Sequence, residues 1–264
     1  MHYIELERPF HLDHTLTSGQ VFRWHKNGNV WEGIVNDQLI QISQKSTITC
    51  TCDEQFLNNY FRLDDDLDLI LSSIDKDEHI HKPIKTLYGM RLIRQDPWEC
   101  LISFICSSFN NVPRIKLIID NLCREFGTPL QHGYAFPTPE ALTSASLDQL
   151  RKCGTGYRDK YIAETAQIVA SGLDLSSLKR KSYETAKEVL MKLPGVGHKV
   201  ADCVLLFSLD KLEAFPCDVN IQKCIHQFYG PCAHVRKFGQ QYFGEYAGYA
   251  NHYLYHYQRV YGKR

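Results

Sequence analysis

The chain has 264 residues, of which 44% are hydrophobic and 23% are charged, and its 30 basic residues balance its 30 acidic ones. This composition is typical of a globular protein with one large domain or two to three packed subdomains. No apolar run approaches the ~20 residues that span a bilayer, and the first residues lack the basic and apolar regions of a signal peptide. We therefore expect a cytosolic or nuclear protein with no membrane partner.

The charges are unevenly distributed along the chain. Residues 1–90 carry 8 Lys and Arg against 14 Asp and Glu, a balance of −6, so residues 91–264 carry 22 against 16, a balance of +6. A polyanionic partner would bind the later part of the chain. The overall neutrality argues against tight, non-specific coating of DNA.

The ten cysteines are scattered along the chain. A disulfide framework is not expected in a chain of this length without an export signal, and buried thiols are the expected state. Cys50 and Cys52 are separated by one residue, and no second pair lies nearby in the sequence. Because zinc sites need clustered ligands, this spacing does not predict a metal site.

The first fifty residues are predicted to form an antiparallel meander. Asn27-Gly28 lies between two runs rich in β-formers, which is a strong hairpin signal, and Asn36-Asp37 provides the next turn. The predicted strands cover residues 21–24, 30–34, 38–42 and 46–50. We expect one face of this sheet to pack against helices.

From residue 53 onward the apolar spacing predicts helices. Asp96-Pro97 combines an N-cap with proline at the first helical position and predicts a helix to about residue 108, and Pro113 begins the next, which Gly127 ends. The later predicted helices cover about 157–171, 182–192, 198–209, 218–228 and 246–260.

The most informative segment is LPGVGHKVADC at residues 193–203. A tight turn between two helices predicts a helix-hairpin-helix over about residues 183–209. Gly195 and Gly197 let backbone amides approach a phosphate closely, and the N-terminus of the second helix adds partial positive charge. Such a hairpin binds the sugar-phosphate backbone without reading sequence.

Two ionisable residues next to this hairpin are candidates for catalysis. Lys199 stands at the start of the second helix, where the helix N-terminus and desolvation both favour a neutral, nucleophilic amine. Cys203 lies four residues later, on the same helical face. Asp218 follows Lys199 by nineteen residues and is the predicted N-cap of the next helix, which would hold its carboxylate rigidly.

Residues 193–220 resemble the helix-hairpin-helix, Gly/Pro-rich and aspartate motif of base-excision glycosylases, and they are most similar to the 8-oxoguanine DNA glycosylases. The similarity extends over nearly the whole chain, in the same order. The other matching motifs are SGQVFRW (18–24), RQDPWEC (94–100), SFICSSFNN (103–111), GTGYR (154–158) and YAGY (246–249).

This resemblance implies a mechanism in which a flipped nucleotide places its sugar beside Lys199. The amine attacks C1′, Asp218 stabilises the developing positive charge, and the resulting imine permits β-elimination. The backbone carbonyl of Gly19 would accept the N7 hydrogen that 8-oxoguanine has and guanine lacks. Cys203 would lie against one face of the base, and Tyr157 would wedge into the gap left by flipping.

The resemblance also assigns the contacts with DNA, and here the chain departs from the family pattern. Three consecutive asparagines are usual, but the first is Phe109 in this chain. The pocket amide matches Asn251, one methylene shorter than glutamine, and the second face of the base matches Tyr255 instead of phenylalanine. The predicted DNA-binding residues are Asn110, Asn111, Arg114, Tyr157, Arg158, Gly195, Gly197, Val200 and Asn220, the last of which replaces a usual histidine.

Three alternatives share parts of this pattern. Endonuclease III and adenine glycosylases have the same hairpin but usually carry an iron–sulfur loop with spacing C-x6-C-x2-C-x5-C. Cys217 and Cys224 have six residues between them, but Cys232 is seven residues further on and no fourth cysteine follows. Alkylated-base glycosylases generally lack the lysine, and a non-catalytic DNA-binding module would need neither Lys199 nor Asp218.

The expected fold class is α+β, with an N-terminal antiparallel sheet packed on a mostly helical core of two subdomains. We expect residues 1–90 to form the sheet with its helices and residues 91–264 to form the glycosylase core, with the site in a cleft. The expected partner is double-stranded DNA containing an oxidised purine, bound by a monomer. The chemistry requires no cofactor or metal, although the resemblance implies a weakly bound structural cation at the hairpin.

Overall fold

The computed structural model describes residues 2–4, 8–45 and 47–262. Its N-terminal part holds a five-stranded antiparallel sheet with the strand order β1-β5-β4-β3-β2. The strands are β1 (His2–Ile4), β2 (Trp24–Asn27), β3 (Val30–Val35), β4 (Gln38–Gln44) and β5 (Ile48–Cys50). A two-stranded ribbon, β6 (Pro129–Leu130) with β7 (Gly133–Tyr134), lies further along the chain.

The predicted meander is confirmed, with one shift and one addition. Asn36 and Asp37 both have positive φ and join β3 to β4, as two-residue hairpin turns require. The strand predicted over 21–24 begins only at Trp24, because Val21 and Phe22 are buried core residues ahead of the sheet. The strand β1 was not predicted, and Ser46 lies outside the described residues.

The rest of the chain is mostly helical. The helices are α1 (Leu12–Thr17), α2 (Glu54–Tyr60), α3 (Leu67–Ile74), α4 (Glu78–Thr86), α5 (Pro97–Ser107), α6 (Val112–Phe126), α7 (Pro139–Thr143), α8 (Leu147–Lys152), α9 (Asp159–Ala170), α10 (Tyr183–Leu190), α11 (His198–Ser208), α12 (Val219–Tyr229), α13 (Val235–Phe243) and α14 (Ala247–Tyr261). Short 3-10 turns occur at Gly156–Arg158, Ser176–Arg180 and Gly244–Tyr246. None of the helices in the described ranges is long and apolar enough to cross a membrane.

Capping residues explain why the predicted helices begin where they do. Asp96 and Asn111 accept hydrogen bonds from the third backbone amide of α5 and α6, at 2.8 and 2.9 Å. The helix α4 escaped prediction because Pro83 lies inside it, which usually ends a helix. Asp77 caps α4 with two hydrogen bonds. The buried face of α4 packs in the core and holds the helix in place.

The apolar residues form two cores. The smaller core packs the sheet against α1 and α2, and the larger one contains the remaining helices, including α3 and α4. Within the larger core, α11 packs against α5, and α12 packs against α14. These two pairs bring the end of α5, the start of α11, the start of α12 and the middle of α14 to one cavity. The division of the chain at residue 90 stays a prediction.

One expectation about the cysteines is wrong. Cys50 and Cys52 form a disulfide bond at the end of β5. Cys50 is the last residue of β5 and Cys52 lies in the bend that follows, and this bend places their Cα atoms 5.3 Å apart, within the range that disulfides require. The other eight cysteines are free thiols, and most of them are buried.

Two buried histidines on α14 make the stability of the fold depend on pH. Burial lowers the pKa of His256 to about 3 and lowers the pKa of His252 well below its usual range, and the positive charge of Arg259 acts in the same direction. An unfolded histidine has a pKa of about 6.5, so below that pH the unfolded chain binds protons that the folded chain excludes. The stabilisation is complete above that pH and is lost as the pH falls.

We therefore expect the free energy of unfolding to fall below pH ~6.5, by about 1.4 kcal/mol per pH unit for each such histidine. Urea unfolding of the unmodified protein and of His256→Gln at pH 7.5, 6.0 and 5.0 would measure this slope. Removing His256 should make the slope of the unfolding free energy against pH shallower by the contribution of one histidine. An identical slope in the two proteins would contradict the assignment.

Candidate active site

The cavity has a volume of about 780 Å³. It lies where four helix segments meet, and it is open enough to admit a group from outside. Many of the residues predicted from the sequence line it. These are Gly19, Asn110, Asn111, Lys199, Cys203, Asp218, Asn220, Asn251 and Tyr255. The structure therefore brings the two predicted catalytic residues and the four predicted base-pocket residues to one site.

Lys199 is held at the cavity wall by contacts with α5. It is the second residue of α11, and its Nζ donates a hydrogen bond of 2.8 Å to Ser107 Oγ. The same nitrogen lies 4.9 Å from the centre of the Phe104 ring, a favourable cation–π distance. Among the described residues, no carboxylate lies within ion-pair distance of this amine, so a hydroxyl and a ring fix its position.

Asp218 is the N-cap of α12, as predicted. Its Oδ1 accepts a hydrogen bond of 2.8 Å from the backbone amide of Ile221, and Asn220 Nδ2 donates to its Oδ2 at 3.3 Å. The first bond fixes the side-chain torsions of Asp218. Each oxygen accepts only one of these two bonds, so each retains capacity to accept another. The carboxylate is therefore a rigid negative group at the cavity that contains Lys199.

Gly19 also lines the cavity, and its φ is +87°. A Cβ atom there would lie 2.7 Å from Nη1 of Arg259, which is the end of a long side chain, and 3.6 Å from the Tyr255 ring, so it is mainly the backbone conformation that favours glycine. Asn251 donates its Nδ2 hydrogen to Pro216 O at 2.9 Å, which leaves its amide oxygen as the free acceptor. Burial raises the pKa of Cys203 to about 12, so it stays a neutral thiol.

The predicted helix-hairpin-helix is formed by α10, a tight turn and α11. Gly195 has φ +76°, and a Cβ atom there would lie 2.8 Å from the Tyr161 ring on α9. Gly197 is the N-cap of α11 and makes no side-chain cap, so the first amides of α11 are left without a side-chain acceptor. Val200 is buried and anchors the helix in the core. The turn thus presents amides and a helix N-terminus at the surface.

Comparison with known proteins identifies the family. Residues 3–101 match the model of the 8-oxoguanine DNA glycosylase N-terminal domain, and residues 102–237 match the HhH-GPD superfamily of base excision DNA repair proteins. The chain belongs to the 8-oxoguanine DNA glycosylase family. This assignment places it outside the endonuclease III and adenine-specific branches that the hairpin alone left open.

Curated relatives and solved structures agree with this membership. The chain is 34% identical to the N-glycosylase/DNA lyase of Saccharomyces cerevisiae, over 83% of this chain and 68% of that protein. It is also 34% identical to the N-glycosylase/DNA lyase of Arabidopsis thaliana, over 78% of this chain and 63% of that protein. It thus spans about two thirds of the length of these relatives.

The 8-oxoguanine glycosylase/lyase of Clostridium acetobutylicum is similar over nearly its whole length. In its apo form the TM-score is 0.92 at 32% identity, covering 97% of this chain and 95% of that one. In its complex with double-stranded DNA containing cytosine opposite 8-oxoguanine, the TM-score is 0.90 at 33% identity, covering 95% and 92%. The glycosylase fold predicted from the sequence is confirmed.

Phe109 and three of the predicted DNA-binding residues, Asn110, Asn111 and Arg114, lie in the turn between α5 and α6 and in the first turn of α6. Phe109 is 97% exposed with φ +50°. Asn110 donates its Nδ2 hydrogen to Cys106 O at 2.9 Å, and Asn111 caps α6, so both amides are partly used in holding this turn. The exposed Arg114 reaches across to Gly154 O at 3.5 Å.

Tyr157 and Arg158 lie next to this turn and differ in exposure. Tyr157 is 55% exposed, as a side chain that inserts into DNA must be, whereas Arg158 is only 7% exposed. The Arg158 guanidinium donates to Thr155 O at 3.1 Å and to Ser108 O. The structure therefore gives Arg158 contacts within the protein, and the DNA contact implied by the resemblance stays a prediction.

Sequence reasoning missed several residues that line the cavity. Ser107 lies in a quoted motif, but the motif does not show that its hydroxyl contacts Lys199. Arg259 lies one helical turn after Tyr255, and this spacing of four residues was the available signal. Within residues 2–4, 8–45 and 47–262, no group of three or more His, Cys, Asp or Glu residues is placed to hold a metal ion.

Proposed function

We propose that this protein is a bifunctional DNA N-glycosylase and abasic-site lyase that excises 8-oxoguanine from duplex DNA. The observation that carries the proposal is that one cavity is lined by Lys199, which is held by Ser107, by the rigid carboxylate of Asp218 and by Gly19. The names of the relatives and the complex of the Clostridium acetobutylicum protein with lesion-containing DNA support this proposal.

The proposed reaction combines the amine of Lys199 with the carboxylate of Asp218. The amine of Lys199 attacks C1′ of the flipped nucleotide through its nitrogen lone pair, the C1′–N9 bond breaks, and the base leaves with that electron pair and takes up a proton. Asp218 stabilises the positive charge that develops on the sugar. Loss of the amine proton and opening of the sugar ring give an imine, and removal of a 2′ proton then expels the 3′ phosphate.

Recognition of the lesion would depend on Gly19. The free N7 of guanine is an acceptor, whereas 8-oxoguanine carries a hydrogen there that the Gly19 carbonyl can accept. Making this bond for the lesion, and leaving the carbonyl unpaired for guanine, is worth ~1–3 kcal/mol of discrimination. Tyr255 and the neutral Cys203 thiol would contact the two faces of the base, and the free oxygen of Asn251 would accept from its edge.

The hairpin would bind the DNA backbone on the 193–198 turn, without reading sequence. The carbonyls of Leu193 and Pro194 each accept one hydrogen bond, from the amide of Val196 and the hydroxyl of Thr165. Each retains a second lone pair, which suits a weakly bound structural cation that takes no part in the chemistry.

We expect a monomer that works wherever genomic duplex DNA is found, in the prokaryotic cytoplasm or the eukaryotic nucleus.

If Lys199 forms an imine with the sugar, borohydride should trap a covalent protein–DNA adduct on a duplex containing 8-oxoguanine. Lys199→Gln should bind the same duplex and yield no adduct, because glutamine has no nucleophilic amine. Lys192→Gln is a matched control in the same hairpin, since Lys192 is exposed and does not line the cavity. An adduct that survives Lys199→Gln would disprove the assignment.

Asp218→Asn keeps an oxygen that can cap α12 but removes the negative charge. We expect the melting temperature to change little and the single-turnover excision rate to fall on the order of 100-fold or more. Asp66→Asn is the matched control, because Asp66 caps α3 in the same way, with a 3.1 Å bond from the Leu69 amide, but does not line the cavity. Equal losses of stability and rate in Asp218→Asn would instead indicate a purely structural residue.

The family pattern implies a preference for cytosine as the base opposite the lesion. In this chain we expect that preference to be less strict. Arg114 keeps charged donors for a cytosine edge, worth ~1.5–3 kcal/mol, whereas the Phe109 ring can stack on any base. We expect faster excision opposite cytosine than opposite adenine, a ratio that Arg114→Ala largely abolishes and Phe109→Asn increases. Single-turnover rates on the two duplexes measure this ratio. Equal rates in the unmodified protein would refute the prediction.

A further inference from the structure

Arg259 lines the cavity, but neither the attack on C1′ nor the contact with N7 uses it. It lies on α14, four residues after Tyr255 and eight after Asn251, so the three side chains lie on one face of that helix. At a rise of ~1.5 Å per residue, Asn251 and Arg259 are ~12 Å apart along the helix. One wall of the cavity thus carries an amide, a ring and a cation, in that order.

One nitrogen of the Arg259 guanidinium is held by the protein. Its Nη2 donates a hydrogen bond to Thr17 O, at the end of α1, and lies 3.2 Å from Nδ1 of His256. Burial lowers the pKa of His256 to about 3, so this ring is neutral near pH ~7 and its Nδ1 can accept a hydrogen bond. These two contacts fix the plane of an otherwise exposed guanidinium.

The other terminal nitrogen of Arg259, Nη1, is available to a ligand. Among the described residues it makes no hydrogen bond and no ion pair, so both of its hydrogens can be donated. It lies beside Gly19, since a Cβ atom on that residue would be 2.7 Å away. A free, charged donor therefore borders the residue whose carbonyl faces N7 in the proposed recognition.

The order of the groups along α14 indicates which edge of a bound purine would face Arg259. The proposed recognition places the Watson–Crick edge at Asn251 and one face of the base against Tyr255. The opposite edge carries C8, next to N7, and it would point along the helix towards Arg259. A purine with a hydrogen bond of ~2.9 Å at each end has about the length that separates the two side chains. C8 bears an oxygen in 8-oxoguanine and only a hydrogen in guanine.

We propose that Arg259 is a specificity-determining residue that donates a hydrogen bond from Nη1 to the C8 oxygen of the lesion. This inference rests on the proposed function and deepens it, because Gly19 would read the hydrogen on N7 and Arg259 the oxygen on the neighbouring carbon. A hydrogen bond from a charged donor is roughly twice as strong as a neutral one. Guanine offers no acceptor at C8, so with guanine the guanidinium stays in water. The contact suits the class of purines that carry an oxygen at C8.

Binding to the inactive Lys199→Gln protein tests this role without any excision. Arg259→Met keeps most of the length of the side chain and removes its donors. In the Lys199→Gln background it should weaken binding to a duplex containing 8-oxoguanine about five- to twentyfold, because a hydrogen bond from a charged group is lost. Binding to the same duplex with guanine should change less than about twofold. Fluorescence anisotropy at one fixed salt concentration measures both affinities.

Two further duplexes identify the acceptor. 8-Thioguanine keeps the hydrogen on N7 but has sulfur, a weak acceptor, at C8, so Arg259→Met should weaken its binding less than about threefold. An abasic tetrahydrofuran site keeps the phosphates and lacks the base, so its affinity should change less than about twofold. An equal loss on 8-oxoguanine and 8-thioguanine, or a loss of the same size at the abasic site, would indicate another contact, such as a phosphate, and would overturn the proposal. An unchanged affinity for 8-oxoguanine would overturn it as well.

Arg124→Met is the matched control, because Arg124 is an exposed arginine on α6 that does not line the cavity. It should change all four affinities alike. Arg259→Lys keeps the charge but has fewer donors, so its loss on 8-oxoguanine should lie between those of arginine and methionine. It takes the place of Arg259→Met if that variant melts below the assay temperature. A folded Arg259→Lys protein that binds 8-oxoguanine no better than Arg259→Met would count against the proposal.

The same measurements separate failure of this inference from failure of the proposed function. Binding by the Lys199→Gln protein requires no chemistry. If the unmodified protein excises nothing but the loss on Arg259→Met is confined to 8-oxoguanine, only the proposed activity fails. If excision is found but the loss is absent or equal on all four duplexes, the role of Arg259 fails and the proposed function stands.

Discussion

The packing of α11 against α5 is the contact on which the rest of the site depends. Both helices are buried along most of their length, from Val200 to Ser208 in α11 and from Cys100 to Cys106 in α5. A close-packed pair of this kind cannot slide without opening voids. The distance between the start of α11 and the end of α5 is therefore fixed, and the hydrogen bond from Lys199 to Ser107 spans that distance.

The functional groups lie at helix ends, and each does structural work there. Asp218 caps α12, Asn111 caps α6, and Gly197 begins α11 without a side-chain cap. An N-cap is worth ~1 kcal/mol and has little torsional freedom. The interactions that begin the helices therefore also fix the orientation of the polar groups around the cavity, and no separate scaffold is needed for them.

The turn between α5 and α6 follows a different rule, because it combines energetically unfavourable features at the surface. Phe109 combines a positive φ with nearly full exposure, and Arg158 is buried beneath it without a counter-ion. Neither feature stabilises the free protein. Phe109 lines the cavity that also holds Lys199 and Asp218, and unfavourable backbone conformations of this kind cluster at functional sites.

The sequence by itself indicated most of the longer helices, the hairpin, and Lys199 and Asp218 as candidate catalytic residues, because caps, turns and glycine-rich loops are local and depend on neighbouring residues. It also indicated the sheet, apart from β1, whose pairing with β5 joins distant segments. Only the tertiary structure decided that Ser107 holds Lys199, that Arg259 borders Gly19 and that Arg158 is buried. These contacts join residues from 50 to 240 positions apart, and no local pattern encodes which side chains meet across a packed core.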